Sequence, residues 1–137
     1  MRLKQQTNAL LEKVRINRKR TTKPATWETV REIALALPEA VEGTSYGTPA
    51  FHVRKKLFVR FHQSGESVVI TIHMNEREAL MKIDPETFYI TDHYLNYPAM
   101  LVRLATVEPD DLRKLVEASW RRSAPAKLVA AYDEQSQ

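Results

Sequence analysis

Among the side chains able to do chemistry, Tyr46, Asp92, His93 and Tyr94 stand out, on the two stretches GTSYG and TDHYLNYP. If these loops converge, a carboxylate orients an imidazole and the imidazole moves a proton. No nucleophile accompanies them, and no glycine-rich loop stands ready to cradle a phosphate, so no catalytic residue is assigned. Aromatic rings with one convergent polar group describe a small-ligand pocket better than a reaction centre. The four histidines, His52, His62, His73 and His93, lack the i,i+4 helical spacing of a zinc site and have no cysteine to assist them. They read as polar surface residues, and neither a metal nor a cofactor is expected.

The second chemistry is cationic. Arg54-Lys55-Lys56 places three adjacent positive charges on a turn between two candidate strands, with Arg60 beyond it, and Arg18-Lys19-Arg20 forms a basic run near the start. Such clusters contact successive phosphates without reading base sequence, giving weak, salt-sensitive binding. Arg103, Arg121, Arg122 and Lys127 are lesser candidates. The charge is uneven: residues 1–23 hold eight bases against one acid, leaving +7, while the remaining 13 bases and 16 acids leave −3. A mildly anionic body lacks the broad basic footprint of a duplex-binding domain, so nucleic-acid affinity would come from the leader or from a local patch. No recognition-helix, zinc-finger or RNA-stacking pattern supplies base readout.

Composition excludes more than it assigns. Of 137 residues, 43% are hydrophobic and 28% charged, the balance of a soluble globular domain able to bury a core without staples. The absence of cysteine rules out disulfides and thiolate chemistry and permits a reducing interior. No apolar run approaches the length of a membrane span, and the leader lacks the apolar centre of a secretory signal, so a cytoplasmic setting is expected.

These residues must be positioned by a small set of elements. Thr26 is a plausible N-cap, and Trp27, Val30, Ile33, Ala34 and Leu37 trace one helical face, stopped by Leu37-Pro38. In the stretch that follows, Gly43 and Gly47 supply turning freedom and Pro49 opens a strand. Three strands are predicted at Ala50 to Val53, Leu57 to Gln63 and Ser67 to His73. Pairing Gln63 with Glu66 sets Leu57 opposite Ile72, Val59 opposite Ile70 and Phe61 opposite Val68 on one apolar face. Phe58, Arg60, His62, Val69, Thr71 and His73 fall on the reverse. Asn75 with Glu78 suggests a capped short helix ended by Asp84-Pro85. Strands are predicted at Thr87 to Ile90 and Ala99 to Ala105. A helix then starts at Pro109 and buries Leu112, Leu115, Val116, Ser119 and Trp120; Ala124-Pro125 breaks it before a last turn or two at Lys127 to Tyr132. The fold class is α+β: helix, three strands, helix, two strands, helix, an antiparallel sheet with helices mainly on one face. Residues 1–25 form a basic leader and linker, 26–133 the domain and 134–137 a tail.

Several segments carry a resemblance: LPEAVEGTSYGTPAF, KKLFVR, DPETFYITDHY followed by YPAMLVRL, and DDLRKLVEASWRRSAPAKLVA. From Trp27 to Val129 the chain resembles the MmcQ/YjbR family, small proteins commonly labelled DNA-binding. The resemblance implies a frataxin-like (CyaY-like) or secretion-chaperone-like α/β arrangement and, from the double-wing look of its hairpins, a non-enzymatic DNA-contacting role. Carried over, the first wing is Phe51 to Phe61 with Arg54, Lys55 and Lys56 at its tip; Lys55 stands where the family usually has glycine. Tyr46, Asp92, His93 and Tyr94 also match family motifs, without a role attached. The competing reading is a module that binds a protein partner, a second copy of itself or a small ligand, with Phe58, Val69 and the sheet edges as its surface.

Overall fold

The computed structural model describes residues 23–135. Helix α1 (Trp27–Leu35) begins at a reciprocal cap: the Thr26 hydroxyl accepts from the Thr29 amide and the Thr29 hydroxyl from the Thr26 amide. Its face buries Val30 and Ala34, and the chain leaves helical geometry just ahead of Pro38, as the proline ring demands.

Strands β1 (Ala40–Ser45), β2 (Thr48–Val53), β3 (Lys56–Phe61) and β4 (Ser67–Thr71) follow, then α2 (Met74–Ile83), β5 (Phe88–Tyr89), a 3-10 turn at Asp92–Tyr94, β6 (Ala99–Arg103), α3 (Pro109–Ser123) and α4 (Ala126–Gln135). All pairings are antiparallel, and the sheet runs β1-β2-β3-β4-β6-β5. The α+β class therefore stands, but with six strands in place of the five expected. The extra one is β1, lying inside the stretch read as turns. Gly43 is not a turning residue; it sits in mid-strand opposite Ala50, whereas Gly47 does take positive φ, at 77°.

Alternation along the strands divides the sheet into two faces. Val68, Ile70, Met100 and Val102 point into the main core, which α1 and α3 close with Val30, Leu112, Leu115, Val116 and Trp120. The Trp120 indole also donates to the Pro38 carbonyl at 3.0 Å, tying α3 to the end of α1. Val69 and Leu101 point the other way and meet Tyr94 in a second, smaller cluster.

Other boundaries shift. The cap of α2 is His73, not Asn75, and no side chain bonds there. The Thr87–Ile90 strand contracts to two residues, and β6 ends at Arg103. Helix α4 runs ten residues, longer than the expected turn or two, because Leu128, Val129 and Tyr132 pack against the core. The expected pairs Val59 with Ile70 and Phe61 with Val68 form, but Leu57 does not reach Ile72. The ladder between β2 and β3 slips at Phe51/His52, leaving Phe58 as an extra residue, a β-bulge. Phe58 consequently joins the main core while Leu57 turns to the reverse face.

Candidate functional site

A bulge interrupts ladder bonds, and here a helix supplies the replacement. Ser119 of α3 is fully buried; its Oγ donates to the Phe58 carbonyl at 2.6 Å, accepts the Thr71 amide at 3.0 Å and lies 2.8 Å from the Thr71 hydroxyl. One hydroxyl thus satisfies the two backbone groups that the broken β3–β4 ladder would orphan. The Ile72 amide finds the Pro98 carbonyl at 3.0 Å instead.

With Leu57 turned outward, the reverse face of β3 and β4 becomes the floor of a cleft of about 330 Å³. Leu57, Val69 and Ala99 line its base, while Tyr46, His93 and Tyr97 line its walls. A second cavity of about 340 Å³ adjoins it, sharing Tyr46, Arg60, His93 and Tyr94 and adding His62 and Gln63. Tyr46 reaches the cleft from the β1–β2 turn, where Tyr46 and Gly47 both take positive φ as a two-residue hairpin turn requires. The opposite wall is loop 91–98. It is pinned by Arg77 of α2, whose Nη1 donates to the carbonyls of Tyr94, Tyr97 and Ala99 and whose Nη2 donates to that of Leu95, at 2.8 to 3.1 Å. Within the loop, His93 stacks on Tyr97 with ring centroids 6.0 Å apart and meets Tyr94 edge-on at 4.8 Å.

Arg60 lies where the two cavities meet and is only 4% exposed. Its Nη2 donates to the Tyr94 hydroxyl at 2.6 Å, and Nη1 lies 3.3 Å from each of Thr48 Oγ1, the Phe61 carbonyl and Gln63 Oε1. The Tyr46 ring sits over its Cζ at 5.1 Å. All four acceptors are neutral, and no carboxylate among the described residues pairs with it. A guanidinium withdrawn from water without a counter-charge costs several kcal/mol relative to a paired one, so the cleft carries an uncompensated positive charge at its edge.

Of the four residues expected to form a pocket, the structure brings Tyr46, His93 and Tyr94 together; Asp92 does not line the cleft and instead opens the 3-10 turn, its carbonyl accepting from the Leu95 amide. Leu57, Val69 and Tyr97 were not singled out as lining residues. The signal that could have found Val69 was an apolar residue on a face otherwise polar, which a covered face explains; Phe58, expected on that same face, belongs to the main core instead. His62 holds Ser64 at 2.9 Å through Nδ1, and burial together with the neighbouring Arg60 charge lowers its pKa. His73 caps α2 and His52 lies in β2. No group of three histidine, aspartate or glutamate side chains among the described residues is placed to hold a metal ion.

The cationic candidates are distributed differently from a single patch. Arg54 is engaged by Glu39, with Nε and Nη2 on the two carboxylate oxygens, which holds the Glu39 carboxyl below its usual range. Arg60 faces the cleft rather than an outer phosphate surface. Lys55 and Lys56 remain exposed at the β2–β3 tip, where Arg54 and Lys55 both adopt positive φ, 49° and 70°. Arg103 bonds the Glu86 carbonyl and Glu66 and stacks on Tyr89; Arg121 grips Asp133; Arg122 is turned onto the Thr71 carbonyl. Lys127 is exposed, and Arg18, Lys19 and Arg20 lie outside the described residues.

No helix among the described residues is long and apolar enough to cross a membrane. The uncharacterized proteins Rv2570 of Mycobacterium tuberculosis and Mb2600 of Mycobacterium bovis are each 43% identical to this chain over 54 residues, 39% of the chain and 42% of the relative. The chain thus matches about two fifths of the length of these relatives. The crystal structure of Deinococcus radiodurans protein DR2400, with a DUF419 domain, superimposes with a TM-score of 0.62 at 19% identity, over 70% of this chain and 76% of that one, a likeness of fold. The YjbR family model matches residues 35–122, a span holding the whole sheet, the cleft and nearly all of α3, and the chain belongs to the YjbR family.

Proposed function

We propose that this protein is a non-enzymatic binding module that takes a small ligand with a flat apolar body into the cleft between the β1–β2 turn, the β3–β4 floor and loop 91–98. The observation that carries this reading is a cleft of about 330 Å³ walled by Tyr46, His93 and Tyr97 over aliphatic Leu57 and Val69, with one buried polar group at its margin. That volume and that lining are those of small-molecule sites. Rings already stacked within the loop offer a face for a planar group at little ordering cost.

The test uses a neutral probe, N-phenyl-1-naphthylamine, whose fluorescence rises on entering an apolar site. The natural protein should bind it saturably, and Ala99→Phe and Leu57→Trp, which fill the cleft floor, should each abolish the signal while Lys55→Ala keeps it. No saturable binding by the natural protein, or unchanged binding by both filled variants, refutes the reading.

A second reading, weak sequence-independent contact with DNA phosphates, is favoured by one observation: Lys55 and Lys56 project unburied from the β2–β3 tip. With Arg54 engaged by Glu39, those two lysines and the basic leader are the groups on which it rests.

A further inference from the structure

We infer that the cleft selects ligands bearing a single carboxylate, an aromatic acid whose anion sits on Arg60 and whose ring lies against Tyr46, His93 and Tyr97; this rests on the reading that the cleft is a ligand site. Arg60 carries five N–H hydrogens. Tyr94 accepts from Nη2 and three neutral oxygens share Nη1 at 3.3 Å, so Nε and a second Nη2 hydrogen have no acceptor among the described residues. Arg77 offers a contrast: it too is buried, but its Nη donors are spent on loop carbonyls and its Nε is sealed away without an acceptor. Arg60 instead lines both cavities, which places its unspent donors where a bound molecule arrives.

The missing counter-charge identifies the ligand's sign, and its size identifies the class. A carboxylate supplies one negative charge and accepts two hydrogen bonds from a guanidinium with matching planar geometry. A phosphate monoester brings nearly two charges. The cleft lining holds no second arginine or lysine to balance the excess. The body of the ligand follows from the walls: Tyr46 is 79% exposed and already turned over the guanidinium, so it can cover a ring that docks beneath it.

The experiment titrates the natural protein with three probes of one shape, 2-naphthoate, 2-naphthamide and 2-naphthyl phosphate, by calorimetry at a fixed salt concentration. The acid should bind about tenfold or more tighter than the amide, the advantage of a charge-assisted bond, and tighter than the phosphate. Arg60→Met, which keeps the stem and deletes the charge, should equalise acid and amide; if that variant does not fold, the comparison on the natural protein still decides. Equal affinity for acid and amide overturns the inference and leaves the cleft a ligand site. A preference for the phosphate overturns the single-charge assignment. No binding by any of the three overturns the inference and the ligand-site reading together.

Discussion

Replacing Ser119 with alanine removes one oxygen and orphans two backbone groups. The Ser119 hydroxyl bonds the Phe58 carbonyl at 2.6 Å and the Thr71 amide at 3.0 Å in a fully buried position, and β3–β4 pairing has already ended there. Each buried backbone group left without a partner costs about 1–3 kcal/mol. The Thr71 hydroxyl keeps its contact with Arg122, so only the two backbone groups count in full. Their sum is about 2–6 kcal/mol; because Thr71 is not wholly buried and can recruit water, a loss of about 2–4 kcal/mol is expected. With a urea dependence of about 1–2 kcal/mol per molar for a domain of this size, the unfolding midpoint should fall by about 1–4 M, followed by the fluorescence of Trp27 and Trp120. Ser123→Ala is the internal control, since Ser123 reaches the Leu57 carbonyl at a long 3.4 Å and should cost under about 1 kcal/mol. A Ser119→Ala loss no larger than that of Ser123→Ala refutes the claim that this hydroxyl substitutes for the missing ladder.

Three further outcomes follow from other residues. Lys55 holds φ at 70°, a region costing a side chain about 1–2 kcal/mol, so Lys55→Gly should gain about 0.5–1 kcal/mol after the glycine entropy penalty and raise the thermal midpoint by a few degrees; a lower midpoint would mean that the turn is unstrained. Burial raises the pKa of Glu76 above its ordinary value of 4.5, against the pull of Arg122 and His73, and its Oε2 has no hydrogen-bond partner. The native state therefore holds this proton more tightly than the unfolded chain, and stability falls as pH climbs from the unfolded value through the folded one. Glu76→Gln should match the natural protein in urea near pH 4 and exceed it at neutral pH; equal midpoints at both would show that the carboxylate is solvated. If DNA contact occurs through the hairpin, Lys55→Ala with Lys56→Ala should lower the slope of log affinity against log salt by about 2, from about 0.9 per phosphate, and an unchanged slope assigns any affinity elsewhere.

What the sequence disclosed depended on whether the controlling interaction was local. Faces of α1 and α3 were legible because helical periodicity is written into Val30, Ala34, Leu112, Leu115, Val116 and Trp120 themselves. Strand β1 was not: Ala40 to Ser45 has little burial on either side, with Val41 62% exposed, so no apolar alternation marks it and its pairing with β2 alone makes it a strand. The bulge at Phe58 was invisible because its support comes from Ser119, 61 residues away. Arg60 was placed on an outer surface by the same alternation rule that set Val59, Val68 and Ile70 correctly. What withdraws it is Tyr94, 34 residues on, carried by a loop whose path no local pattern encodes. Three residues lining the cleft were legible from their residue types, and the unpaired charge at its edge was not.

The clamp that Arg77 places on loop 91–98 has a dynamic consequence. Carbonyls of Tyr94, Leu95, Tyr97 and Ala99 all accept from one guanidinium, so those bonds cannot be released one at a time at full gain; freeing the wall means withdrawing a single side chain from all of them. The segment should therefore open as one cooperative unit, and amides that rely on it should trade their hydrogens for deuterium at a common rate, far slower than a loop of this length would show if each contact were independent.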